Sequence, residues 1–305
     1  MNTVELTQVT KTFGKTTAVS DLSLAVPAGS VYGFIGPNGS GKTTTLRMII
    51  NILRPDRGTV RVFGAELRDA RSSRIGYLPE ERGLYRRMKV RSILRYYGGL
   101  KSGRRVDAEV DEWIERLHLT EYADKKVEAL SKGTSQRVQF IAAVVARPEL
   151  VILDEPFSGL DPVNAEVLRQ AMLDLRREGA TVILSTHDMA VAEQMCDFIF
   201  MICRGRKVLD GTLADIKARY GTDTIRLRAE AGVAGLAGLP GVEQVRDLGQ
   251  WQELRLARDG DAQEVLRTVL ARGALYGFEV AQPSLHDIFV RIAGPAEPDP
   301  ENAHA

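Results

Sequence analysis

Residues 31–53, VYGFIGPNGSGKTTTLRMIINIL, decide the fold. The first five read as a short buried strand. From Thr43 to Leu53 the apolar spacing becomes helical, and it stops before Pro55. Between them GPNGSGKT, Gly36 to Thr43, matches G-x-x-x-x-G-K-[ST] in the strand–loop–helix setting this pattern requires. Such a turn points successive backbone N–H groups inward, where they suit the α- and β-phosphates of a nucleotide. Lys42 reaches the β- and γ-phosphates as a point charge, and the Thr43 hydroxyl is placed for Mg²⁺. Gly36, Pro37, Asn38, Gly39, Ser40, Gly41, Lys42, Thr43 and Thr44 are the expected phosphate-binding residues. ATP and Mg²⁺ are the expected ligands.

Outward from this loop, strands alternate with helices. LVILDEP at 150–156, TVILSTH at 181–187 and FIFMICRG at 198–205 are near-continuous apolar runs, as strands of a parallel sheet covered on both faces must be. An amphipathic helix, Val163–Glu178, separates the first two. The N-terminal stretches VELTQVTKTFG and TTAVSDLSLAVPAG read as strands with turns, and residues 81–147 read as a helical insert. In a parallel sheet the ligand crevice lies at the carboxyl ends of the strands. Asp154 and Glu155 end one strand and His187 ends the next. Asp154 is expected to hold Mg²⁺, Glu155 to orient or deprotonate an attacking water, and His187 to hydrogen-bond the γ-phosphate or that water.

A second helix start, LSKGTSQRVQF at 130–140, also suits an anion. Ser131 is an N-cap residue, Gly133 permits close approach, and apolar residues follow at Val138, Ile141, Val144 and Val145. After Gly211 the texture changes to weakly patterned strands and three short helices, a small α+β module, ending in the polar tail GPAEPDPENAHA. The expected boundaries are 1–218, 219–293, and a disordered tail at 294–305.

The 305 residues, 44% of them hydrophobic, suffice for one large domain and a smaller one. A net charge of +1 leaves no global footprint for nucleic acid or an anionic membrane. Cys196 and Cys203 show no metal-ligand or disulfide pattern. No apolar run approaches the ~18 residues of a spanning helix, and the N-terminus has no apolar signal core. The expected location is cytoplasmic.

With these residues assembled, the chain resembles the nucleotide-binding subunit of an ABC transporter. GPNGSGKT, GYLPE, LSKGTSQR, LVILDEPFSGLD and STHD stand in that family's order across roughly residues 2–215. The resemblance implies an α/β fold: a P-loop NTPase core of ABC type with an N-terminal antiparallel β subdomain and a helical insert, then a small C-terminal α+β domain. It implies two cassettes paired head to tail, as a homodimer or with a related subunit, with the signature segment of each closing on the γ-phosphate held by the other. By that carry-over Ser131 and Gly133 contact the partner's ATP, Phe157–Asp161 communicates between sites, and Phe13 stacks on adenine.

Two features depart from the family's pattern. Lys132 and Thr134 replace the third and fifth residues of the usual L-S-G-G-Q, with Lys132 adding positive charge near the helix start. Glu80 stands where glutamine is usual. It is expected at the coupling loop, with the capacity to bind Mg²⁺; an ionised Glu only accepts hydrogen bonds.

GYLPEERGLY, the LSKG signature and PSLHDIFVRI at 283–292 are similar to the ATPase subunits of ABC-2 type transporters, mostly bacterial exporters. That implies ATP hydrolysis coupled to export, through a separate polytopic membrane subunit that brings the chain to the inner face of the membrane. No nucleic acid is expected. For the C-terminal module two readings stand, a dimer-stabilising appendage and a regulatory or substrate-linked one. A basic run from Arg82 to Arg105, interleaved with Tyr85, Tyr96 and Tyr97, reads equally as a solvated face or as the docking site for that membrane subunit. The rival function is a soluble non-transport ABC ATPase acting on a macromolecular complex. Such proteins usually carry two cassettes, coiled coils or zinc modules, and none is visible in this sequence.

Overall fold

β3 (Val31–Ile35) is buried on both faces along its whole length and lies inside a six-stranded sheet. The order is β10 (Arg206–Thr212), β9 (Phe198–Cys203), β3, β8 (Thr181–Thr186), β7 (Leu150–Asp154), β6 (Ile75–Leu78). All neighbours are parallel except β9 and β10. The register sets Ile35 beside Thr186 and Ser185 beside Asp154. Three adjacent strands therefore end at one edge of the sheet, where parallel α/β folds bind ligands. The computed structural model describes residues 1–66, 72–81, 83–220, 223–230, 236, 238–257 and 259–293. Arg82 of the basic run, residues 231–235 and 237, and the tail 294–305 lie outside the described residues.

A second sheet, ordered β2-β1-β4-β5, is antiparallel: β1 (Asn2–Phe13), β2 (Thr16–Pro27), β4 (Arg57–Val62) and β5 (Ala65–Glu66). Its inward residues Val4, Leu6, Leu22 and Leu24 share one core with Tyr32, Phe34 and Phe200, and with Leu46 and Met48 of α1 (Lys42–Ile49). The Phe34 and Phe200 rings stack 5.1 Å apart. Burying each such side chain contributes about 1.5–3 kcal/mol. The loop between β3 and α1 thus hangs between two of the most deeply anchored elements of the chain.

The insert comprises α2 (Val90–Ser102), α3 (Asp107–Arg116) and α4 (Lys132–Val144), with single 3-10 turns at Thr120–Tyr122 and Val127–Ala129. Residues 83–89, read from sequence as helical, precede the first helix. Trp113 meets Phe140 edge to face at 5.9 Å and closes the insert's own core. Five residues of the basic run pair with acids from later in the chain, which the sequence did not suggest. Arg95 and Arg105 pair with Asp107, Arg104 with Glu109, Arg91 with Asp111, and Lys89 with Asp124. α5 (Pro162–Arg177) and α6 (Met189–Met195) complete the first unit.

The chain divides after Thr212, the last residue of β10, whereas the sequence reading set the boundary after residue 218. The second unit begins with α7 (Leu213–Tyr220). Its antiparallel sheet is ordered β12 (Val242–Asp247), β13 (Gln252–Leu256), β11 (Thr224–Ala229), β14 (Leu275–Ala281). One face buries Ile225, Leu227 and Leu254 against Val265 and Val269 of α8 (Ala262–Arg272). α9 (Leu285–Ala293) is held by ion pairs, Asp287 to Arg246 of β12 at 3.1 Å and Arg291 to Asp223, just before β11, at 3.0 Å.

Candidate active site

The loop after β3 turns through Gly41, whose φ of +105° closes it into α1. Only glycine is at ease there, and a Cβ at this position would stand 2.5 Å from the Ala18 carbonyl. α4, α5 and α6 begin with side-chain caps, Ser131, Asp161 and Asp188. α1, like α2 and α3, has none, and it has no acidic residue in its first turn. Ser40 Oγ beside it is buried without a hydrogen-bond partner. An uncapped helix start with an unsatisfied buried hydroxyl matches what a phosphate supplies.

Lys42, 6% exposed, curls back over the loop. Its Nζ donates to the carbonyls of Gly36 (2.6 Å) and Pro37 (3.2 Å) and lies 3.7 Å from a Glu155 oxygen. Burial pushes the ammonium below the ordinary lysine range, and the carboxylates of Glu155, Asp154 and Glu80 oppose that shift. Thr43 Oγ1 donates to Asp154 Oδ2 at 2.9 Å, and Ser185 Oγ donates to Asp154 Oδ1 at 2.8 Å. Asp154 is 1% exposed. Burial raises its pKa, and the two hydroxyl donors partly restrain the rise.

Glu155 leaves the strand with a left-handed backbone, φ +50°, which costs a non-glycine residue about 1–2 kcal/mol. Its amide donates to the Ser185 carbonyl at 2.9 Å. The carboxylate, 8% exposed, meets Thr186 Oγ1 at 3.3 Å and His187 Nδ1 at 2.9 Å. The His187 side chain is 55% exposed, so its ring bridges the buried carboxylate and solvent.

Asn38 to Thr44, Ala18, Glu80, Asp154 and Glu155 line one pocket of about 340 Å³. The structure therefore gathers the loop, both strand-end acids and Glu80, with His187 behind Glu155. Phe13 stands apart from that lining at the end of β1, 48% exposed, with Lys11 Nζ 5.6 Å above its ring. Ser131 and Gly133 also lie outside this lining. Ser131 Oγ accepts from the Thr134 amide at 3.2 Å and lies 2.8 Å from the Thr134 hydroxyl. Lys132 is not aimed along the helix start: its ammonium lies against Gly159, where a Cβ would collide with it. Ser185 and Thr186 escaped the sequence reading, although two polar residues at the carboxyl end of an apolar strand were a usable signal.

The oxygens of Thr43 and Asp154 form a hard donor pair suited to Mg²⁺. Among the described residues no three His, Cys, Asp or Glu side chains are grouped to cage a metal by themselves.

An ABC transporter ATP-binding protein of Bacillus subtilis (strain 168), YhaQ, itself uncharacterised, is 41% identical over 288 residues, covering 94% of this chain and 97% of that one. The chain belongs to the ABC transporter ATP-binding family. The family profile described as ABC transporter matches residues 19–158, and that of the C-terminal domain of DrrA1-3-like ATP-binding proteins matches 211–293. The cassette is 34% identical to a Nod factor export ATP-binding protein I of Paraburkholderia xenovorans (strain LB400), over 95% of this chain and 97% of that one. The linearmycin resistance ATP-binding protein LnrL of Bacillus subtilis is 32% identical, over 94% and 96%. A solved ATP-binding subunit of an ABC transporter superposes with a TM-score of 0.66 at 30% identity, over 72% of this chain and 93% of that one. The chain is an ATP-hydrolysing, ATP-binding subunit of the ABC transporter family.

Proposed function

We propose that the cassette drives an ABC-2 type exporter, as one of two cassettes paired head to tail on separate membrane subunits. The observation that carries this reading is the position of the signature segment. Ser131 and Gly133 start a capped helix outside the chain's own phosphate pocket, so the pocket lacks the contacts that a second cassette would bring. The export direction rests on the relatives named for Nod factor export and linearmycin resistance. No helix among the described residues is long and apolar enough to cross a membrane, so attachment falls to a partner. A cassette of similar fold, cbiO1 of Clostridium perfringens, is part of the ABC transporter complex cbiONQ (TM-score 0.64, 25% identity, 71% of this chain and 91% of that one). The insert offers a surface for such a partner. Tyr85, Tyr96 and Tyr97 form an aromatic cluster with centroids 5.5–6.3 Å apart, and Tyr85 and Tyr96 are exposed beside Arg86 and Arg87.

In this reading Lys42 exchanges its internal acceptors for the β- and γ-phosphates. Thr43 and Asp154 hold Mg²⁺, with Glu80 at the same mouth; the ion when bound neutralises phosphate charge. Glu155 takes a proton from the attacking water, and His187 fixes the carboxylate and stands near the γ-phosphate. Phe13 is open for stacking on adenine. Ser131 and Gly133 meet the facing γ-phosphate.

The test is affinity purification of Glu155→Gln chain with Mg·ATP from detergent-solubilised membranes of its host, with partners identified by mass. A polytopic membrane protein in comparable amount is expected. Recovery of ribosomal, DNA-bound or only soluble partners would move the chain to the soluble, non-transport class.

A further inference from the structure

The signature helix α4 meets the segments that carry two acids of the chain's own pocket through a stripe of three residues. Gln136, Gln139 and Ala143 stand at i, i+3 and i+7, so they share one face. Ala143 lies against β6: its carbonyl occupies the place a Cβ on Gly76 would need, so strand and helix are in backbone contact. One turn earlier, Gln139 Nε2 donates to the Glu81 carbonyl at 3.1 Å and reaches the Pro79 carbonyl at 3.5 Å. Both acceptors flank Glu80, which lines the phosphate pocket. Another turn earlier, Gln136 Nε2 donates to the Pro156 carbonyl at 3.1 Å, next to Glu155. Both glutamines are 5% exposed. The Gln139 Oε1 is buried without a partner, so its amide is held by the Nε2 bonds alone; leaving such a carbonyl acceptor unpaired costs about 1–3 kcal/mol.

We propose that Gln139 is a positioning residue for ATP hydrolysis: by gripping the carbonyls on either side of Glu80 it sets where that carboxylate stands in the phosphate pocket. Gln136 makes the matching grip on the loop after Glu155. The helix that begins at Ser131 therefore holds both acidic loops of its own chain's pocket, and a shift of α4 carries them with it. The inference rests on Glu80 acting at the nucleotide, as its place in the pocket lining indicates.

The experiment is a double-mutant cycle with Gln139→Met and Glu80→Ala in the full chain. Steady-state kcat and KM, equilibrium ATP binding and the melting temperature are measured for all four proteins. Gln139→Met keeps length and burial but has no N–H to donate. It should lower kcat about five- to tenfold, the scale of one positioning hydrogen bond. ATP affinity should stay within about twofold, and the melt should remain cooperative. Because Gln139 acts through Glu80, Gln139→Met should have little further effect on kcat once Glu80 is alanine. A full, multiplicative loss in that background, with Glu80→Ala itself harmful, overturns the inference and leaves Glu80's role intact. Unchanged kcat in Glu80→Ala overturns both. A parallel loss of ATP affinity and melting temperature in Gln139→Met reduces the residue to a packing role and also overturns the inference. If Gln139→Met gives no cooperative melt, Gln139→Ala carries the same expectations.

Discussion

Replacing Glu155 by glutamine changes one charge and almost no shape. The amide still fills the buried turn and keeps an oxygen for His187 Nδ1 and Thr186 Oγ1, now 2.9 and 3.3 Å from the carboxylate. Lys42 loses the carboxylate 3.7 Å away but keeps the Gly36 and Pro37 carbonyls, so no buried ammonium is stranded. A negative charge also disappears beside the place a γ-phosphate would take. ATP affinity should therefore hold or rise. What is lost is the base. General-base assistance contributes about 10²–10⁴-fold, or about 3–5 kcal/mol of barrier. Phosphate release at saturating Mg·ATP should fall by that factor, while equilibrium binding of ATP is unchanged or tighter. Turnover within about threefold of the parent, or affinity lost in step with turnover, would refute the assignment of Glu155.

Lys42→Met removes charge-assisted contacts worth about 1.5–3 kcal/mol and should weaken ATP binding about 10- to 150-fold, read by equilibrium titration; retained affinity would argue against the cradle. Gly41→Ala forces a Cβ to 2.5 Å from the Ala18 carbonyl at a φ of +105°. Calorimetry should show a loss of about 1–3 kcal/mol of stability and no rise in melting temperature on adding ATP; an unchanged ATP-induced rise would contradict the geometry. The two thiols should separate by reactivity. Burial pushes Cys196 up to about 12, so at pH 8 only about one part in 10⁴ is thiolate, whereas Cys203 is half-buried. Brief alkylation of native chain should label Cys203 alone, and Cys196 only after unfolding, as peptide mass mapping would show.

The phosphate loop was legible because strand, glycines, lysine and helix follow one another within 23 residues, so no long-range pairing had to be guessed. β7, β8 and β9 announced themselves by apolar runs that only a doubly covered sheet needs. β10, RKVLDGT, did not, since an antiparallel edge strand half open to solvent carries no such run. β12, VEQVRD, was hidden for a related reason: its polar residues pair across strands, Arg246 facing Glu253. The partners of the basic run lie on α3 and beyond, and periodicity cannot assign an ion pair between two helices. Gln139 was invisible as a site residue. Its acceptors are backbone carbonyls 58 and 60 residues away, and a carbonyl has no sequence signature.

Lys42 already has three oxygens around its ammonium, two carbonyls and a carboxylate. A visiting anion competes for that lysine instead of completing it. A single orthophosphate or sulfate would displace the internal acceptors and recover little more than one ion pair. A triphosphate can also engage the uncapped amides of α1 along its length, so each further phosphate offsets the exchange again. On the proposed phosphate role of Lys42, preference for the longer polyphosphate is expected to follow from the lysine's prior commitments.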